Sequence, residues 1–210
     1  MCAHRVPYDA VLAAQTTVRR RRSDMKRAVA SVDMSLDGVI EHRQRWMFDH
    51  HDGEADAYAH QQLLASDALL MGRRTYLTLA EAWSAAPTGS DLATRMNTMP
   101  KYVVSSTMDR VEWRNTTIIS GDLPGEVSKL LRAGQNLLMY GFGPVAQTLM
   151  YHDLLDELRI WLHPVLVGSG NLRDLLFRDG STAKLRLVRT RTFTSGLVVL
   201  AYQPIAGSAA

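Results

Sequence analysis

Apolar residues fall along this chain in short runs, and the runs alternate between strand-like and helical spacing. Residues 28–35, Ala-Val-Ala-Ser-Val-Asp-Met-Ser, have the length and composition of a buried strand. A turn at Asp37-Gly38 and a brief return to extended structure follow. Residues 41–53 form a loop rich in polar and aromatic side chains, among them Trp46, Phe48, His50 and His51. Ala55, Tyr58, Ala59, Gln62 and Leu63 recur at helical spacing and predict a helix over 54–66. A strand at 68–71 stops at Gly72, and a helix runs from Arg73 to about Ala82. Pro87, Gly89 and Pro100 make 84–100 a loop or broken helix. Strands are predicted at 101–106, 116–120 and 136–140, and helices at 123–133 and 144–151. The apolar strand 158–167 is interrupted at Pro164, which favours a bulge or a sheet edge. Residues 184–193 and 197–204 form a hairpin about Thr194-Ser195-Gly196. Strands alternating with helices, closed by a hairpin, describe an α/β domain with a largely parallel sheet and an antiparallel edge.

Two stretches share one plan. Ala68-Leu69-Leu70-Met71-Gly72-Arg73-Arg74-Thr75 is an apolar strand that turns at a glycine directly into a helix. Asn136 to Tyr140 followed by Gly141-Phe142-Gly143-Pro144 repeats it, with proline in the first helical turn. Free N–H groups at a helix start carry the positive end of the helix dipole, and two guanidinium groups and a hydroxyl there suit a phosphate. Arg73 and Arg74 read equally well as a solvated pair until the second junction is counted. Side by side at the carboxyl edge of a parallel sheet, two such junctions form the place where α/β proteins bind nucleotides. Gly141-x-Gly143 by itself lacks the third glycine of a dinucleotide fingerprint.

Composition narrows the class. The chain has 210 residues, 46% of them hydrophobic, enough for one domain with a substantial core. Apolar runs stay shorter than a membrane span. The single cysteine, Cys2, excludes an internal disulfide framework and fits a reducing cytoplasm, the expected location. The formal charge of +3 resides in the first 24 residues, where Arg5 and the arginines at 19–22 outnumber Asp9 and Asp24. The rest is neutral, so residues 1–24 read as a basic, poorly ordered extension and 25–206 as the domain, with Met25 a natural start. A neutral body argues against nucleic acid as the partner.

Five stretches carry a family resemblance: Ser35-Leu36-Asp37-Gly38, Met71 to Tyr76, Tyr102-Val103-Val104-Ser105-Ser106, Tyr140-Gly141-Phe142-Gly143, and His163-Pro164-Val165-Leu166-Val167-Gly168-Ser169-Gly170. In this order they resemble the dihydrofolate reductase superfamily. The closer match is the reductase domain at the C-terminus of bifunctional riboflavin-biosynthesis deaminase/reductases (RibD) and its free-standing relatives. The resemblance implies a dihydrofolate reductase-like fold: a largely parallel mixed sheet, helices on both faces and a C-terminal antiparallel hairpin. It implies NADPH bound across the strand ends and a homodimer, with the apolar strand 158–167 as the candidate interface. By resemblance Gly72, Arg73, Arg74 and Thr75 hold the pyrophosphate and 2′-phosphate. Ser105 and Ser106 help at the 2′-phosphate and adenine end, Gly141, Phe142 and Gly143 let the backbone approach the pyrophosphate, and Ala30 and Ile40 flank the nicotinamide.

The sequence also departs from that pattern. Thr107 to Trp113 takes the place of the asparagine-rich, Asp-Asp-Pro substrate loop typical of the riboflavin reductase, and Gly-Phe-Gly replaces a double glycine. Dihydrofolate reductases carry a helix carboxylate ahead of the Met-Gly-Arg strand, and Asp56 has the matching spacing. It is a candidate to protonate or orient a pterin-like ring, or else simply favours the positive end of its helix. Asp37 faces the expected substrate cleft by resemblance, or shapes its turn. Trp46 and Phe48 are candidates to cover a planar substrate, or core residues. Adjacent His50 and His51 do not form a helix-face metal pair, and no metal is expected. Two functions remain: an NADPH-dependent reductase of a planar nitrogen heterocycle, pterin-like or aminopyrimidine-like, and a non-catalytic nucleotide-binding protein of the same fold.

Overall fold

The structure is a computed structural model, and it describes residues 26–50, 52–86, 90–169, 171–176 and 182–209. The basic extension, Met25, His51, Pro87, Gly89 and Gly170 lie outside the described residues. Eight strands form one sheet: β1 (Ala28–Ser35), β2 (Ala68–Gly72), β3 (Lys101–Val104), β4 (Thr116–Ile119), β5 (Leu137–Tyr140), β6 (Glu157–His163), β7 (Leu185–Thr192) and β8 (Val198–Pro204). Their order is β4-β3-β2-β5-β1-β6-β8-β7. Strands β1 to β6 run parallel, and the β7–β8 hairpin joins β6 antiparallel.

Side chains alternate across each strand, and the two faces bury different helices. Ala28, Ala30, Val32, Leu70, Leu137 and Met139 pack with α4 (Leu123–Arg132) and α5 (Pro144–Tyr151). Val29, Leu69, Met71, Val103 and Leu138 face the other way. They meet Tyr76 and Leu79 of α2 (Arg73–Trp83), Met96 of α3 (Asp91–Thr98) and Leu63 of α1 (Gly53–Leu64). The hydroxyl of Ser31 accepts from Gln62 Nε2 of α1 at 3.0 Å and from Trp161 Nε1 of β6 at 2.9 Å, tying helix and strands together. Near continuous burial along β1 and β2 is what a parallel strand covered on both faces requires.

Two expectations change. Residues 91–98 form a full helix, because the Ser90 hydroxyl accepts from the Ala93 amide and starts α3 cleanly. The strand predicted at 158–167 ends at His163, and it lies between β1 and β8 rather than at an edge. Pro164 falls one residue past the strand, where its missing N–H costs no ladder bond. With both edges occupied, β6 cannot pair with a second chain.

Candidate functional site

The register sets the stage for the site. β2 and β5 are neighbours, with Ala68 opposite Leu137 and Leu69 opposite Leu138. Continuing that register sets Gly72 level with Gly141, so the two strand–glycine–helix junctions lie side by side. They also lie close: a Cβ added at Gly72 would meet Val145 Cγ2, in the first turn of α5, at 3.5 Å. Gly141 has φ +94, a left-handed conformation that favours glycine, and its amide donates to Ser31 O at 2.7 Å.

Helix starts separate into two groups. Side chains cap α1 (Asp52 to the Ala55 amide), α3 (Ser90) and α4 (Asp122 to the Gly125 amide). The Ala55 amide also holds the Asp52 carboxyl below its usual range. Among the described residues only α2 and α5 start from glycine caps, Gly72 and Gly143, with no side-chain hydrogen bond. Their first-turn N–H groups are therefore left for another acceptor, at the level edge where the two junctions meet. Arg73 is exposed beside them and makes no ion pair among the described residues. Thr75 is half-buried on the same turn, and Gly141 and Gly143 leave open space where a Cβ would stand. Phe142 is buried in the core, so only backbone from this stretch faces the edge. Ser105 and Ser106 follow β3 at the same edge. Ser105 is occupied in its own turn, accepting from the Thr107 and Met108 amides at 3.2 Å, while Ser106 is exposed.

One strand over lies a polar group that sequence reasoning did not assemble. β5 ends at Tyr140, opposite Ser31, whereas β1 runs on to Ser35. Asp33 therefore stands just past the end of β5. Its carboxylate accepts from Arg43 Nη1 at 2.6 Å and from His163 Nε2, at the end of β6, at 3.1 Å. Burial alone would raise the Asp33 pKa, but the His163 hydrogen bond and the Arg43 charge outweigh it and hold the carboxyl below its ordinary range. Trp46 packs edge-on against His163 with ring centres 5.2 Å apart, and His50 lies 6.5 Å away. Tyr140 sits in the field of Arg43 and Asp33, and burial pushes its phenol up to about 12, so it stays protonated.

The other predicted site residues take varied places in the fold. Ala30 is fully buried three residues before Asp33 and opposite Met139, inside the core and not at the strand end. The last residues of β1, Asp33 to Ser35, are the ones that extend past the end of β5. Ile40 is half-buried, with its amide on Asp174 O. Asp37 is committed to structure: it accepts from Ser35 Oγ at 2.6 Å, Gly168 N at 2.7 Å and Val167 N at 3.1 Å. Those bonds hold its carboxyl down at about 2. It thus clasps the 36–39 turn to the loop after β6, and a carboxyl so saturated is a poor proton donor at neutral pH. Asp56 is exposed in the first turn of α1, next to Ala55, which faces the core. Trp46 is buried and Phe48 is 64% exposed, so only Trp46 is packed into the site. The signal for Asp33 was present in the sequence. A charged residue inside a buried strand requires a partner, though nothing local named Arg43 or His163.

Among the described residues no helix is long and apolar enough to cross a membrane. The chain is similar to YyaP, an uncharacterised protein of Bacillus subtilis (strain 168), at 27% identity over 188 residues, covering 84% of this chain and 94% of the relative. YwjB, an uncharacterised protein of the same organism, is 25% identical over 172 residues, 80% of this chain and 92% of the relative. Among solved structures, a Shewanella sp. PV-4 protein described as a riboflavin biosynthesis protein superposes with a TM-score of 0.68 at 22% identity, covering 85% of this chain and 99% of the other. The riboflavin biosynthesis reductase Rib7 of Saccharomyces cerevisiae gives 0.56 at 15% identity, with 86% and 90% covered. These structures share the eight-stranded fold with its C-terminal hairpin. The family model of the RibD C-terminal domain matches residues 28–199, and the chain belongs to that family.

Proposed function

We propose that the protein is an NADPH-dependent reductase of a planar nitrogen heterocycle, pterin-like or aminopyrimidine-like. The observation that carries this reading is the pair of uncapped helix starts, α2 and α5, level with each other at the carboxyl edge. The residues present fit the cofactor. Unbonded N–H groups, Arg73 and Arg74 suit its phosphates, and Gly141 and Gly143 leave space for close approach. When bound, the dihydronicotinamide supplies a hydride, and the substrate gains one proton besides.

The chain's own residues divide the remaining work. Arg73, Arg74 and Thr75 bind phosphate, with Ser106 towards the adenine end. Asp33, kept ionised by its two partners, accepts an N–H from the heterocycle and fixes its orientation beside Gly141. Tyr140 stays protonated and donates a hydrogen bond to it. Trp46 excludes water from the His163 side. Asp56 is the alternative carboxylate to meet the substrate and handle its proton. Family membership and neighbours that include a pyrimidine reductase-like protein of Corynebacterium diphtheriae support a reductase. The departure at Thr107 to Trp113 favours the second reading, a nucleotide-binding protein without turnover. NADPH oxidation against dihydrofolate, pterins and aminopyrimidines decides between them. Turnover on any of them supports the enzyme, and tight NADPH binding with none supports the binding protein. We place the protein in the cytoplasm, as a homodimer whose interface is not the edge of β6.

A further inference from the structure

The segment that follows Ile40 crosses the candidate site. Glu41 accepts from Arg74 Nη2 at 2.5 Å, on the helix after β2. Two residues later Arg43 donates to Asp33 on β1 at 2.6 Å. In the sheet β5 lies between β2 and β1. Residues 41–43 therefore span the end of β5, where Gly141 and Gly143 stand, fastened on one side to the phosphate junction and on the other to the Asp33 pocket. Trp46 continues the strap onto His163.

The two fastenings differ in strength. Asp33 is buried and Arg43 only one-third exposed, so that pair is shielded from water and salt. Arg74 is 76% exposed and Glu41 19%, so this pair is open to water and salt on its arginine side and is the weaker of the two. Arg74 has a planar fork that suits one carboxylate or one phosphate. A phosphate at the start of α2 therefore competes with Glu41 for the same guanidinium.

We propose that Glu41 is a built-in competitor for the phosphate site, holding the 41–46 strap across the end of β5 until a phosphate-bearing dinucleotide takes Arg74. This rests on the reading of α2 as the phosphate site. The Arg43–Asp33 fastening keeps the strap near, so Glu41 acts at high effective concentration and returns when the phosphate leaves. Cofactor binding thereby loosens one end of the segment that carries Trp46. By linkage, whatever stabilises the fastened strap weakens the dinucleotide by the same factor.

The test is calorimetric titration of NADP+ and NAD+ into wild type, Glu41→Gln and Arg74→Ala, with tryptophan emission read in parallel. Trp46→Phe identifies the Trp46 signal. A surface ion pair of ordinary strength predicts NADP+ binding tightened about two- to sixfold in Glu41→Gln. NADP+ should shift Trp46 emission in wild type, and both Glu41→Gln and Arg74→Ala should show part of that shift without ligand. If Arg74→Ala weakens NADP+ while Glu41→Gln leaves its affinity and the Trp46 signal unchanged, the strap proposal is overturned and the phosphate site stands. If Arg74→Ala leaves NADP+ binding unaltered, the reading of the junction fails, and the strap proposal with it.

Discussion

Asp33→Asn gives a quantitative test of the polar group beyond β5. The carboxylate is buried and accepts from both Arg43 and His163. Asparagine keeps the shape, but it removes the charge and turns an NH2 group towards one of two donors. Removing one member of a buried pair costs roughly 3–5 kcal/mol. Arg43 is one-third exposed and can turn to water, which reduces this to about 2–3 kcal/mol. For a domain of this size that is a fall in Tm of roughly 4–12 °C. The pH dependence makes the test sharper. The folded pKa of Asp33 lies below its unfolded value, so its contribution is fully present above the unfolded value and is lost as pH falls through the folded one. Urea denaturation of both proteins at a series of pH values from 7 downwards reads the difference. The gap should be widest at neutral pH and close in acid, where wild type also carries a neutral group at position 33. A gap that stays constant down to the lowest pH at which both proteins fold would show that the carboxylate is not charged and paired as described.

Turnover separates the two carboxylates. Asp33→Asn should lower it by on the order of a hundredfold without weakening NADPH, whereas Asp56→Asn should change it little. Steady-state kinetics showing the reverse would return the proton role to Asp56. Gly141→Ala meets no atom within 4 Å but must hold φ +94, so folding should lose about 1–2 kcal/mol. NADPH affinity should fall more than tenfold, and calorimetry showing unchanged affinity would remove Gly141 from the site. Lys101 is fully buried, with Nζ donating to the Met96, Asn97 and Met99 carbonyls, and burial lowers its pKa to about 8. The unfolded chain then binds more protons between pH 8 and 10.5, so wild type should gain stability relative to Lys101→Met as pH rises through that window. Denaturation curves whose difference is flat there would refute the shift.

What the sequence disclosed depended on how local the determining contact is. Gly72 and Gly143 mark their turns within a few residues, and the strand–glycine–helix plan was legible twice over. The order of the strands placed those turns together, and the family resemblance anticipated it. Asp33, Arg43 and His163 stand 10 and 130 residues apart, and no periodicity joins them. Asp37 looked like a turn residue or a cleft acid. Its role is decided by the amides of Val167 and Gly168, supplied by the distant loop after β6. The α3 helix was masked by the prolines and glycine around it, although Ser90 was its start signal in plain view.

We propose that the paired junctions at Gly72 and Gly141 bind the phosphates of NADPH. NADPH differs from NADH by one phosphate, and a guanidinium facing it makes hydrogen bonds worth roughly 1.5–3 kcal/mol. Titration of both cofactors into Arg73→Ala and Arg74→Ala measures this directly. One arginine, expected to be Arg73, should weaken NADPH by about ten- to a hundredfold while NADH changes much less. An NADPH-to-NADH affinity ratio unchanged in both variants would contradict the assignment of this junction to the cofactor.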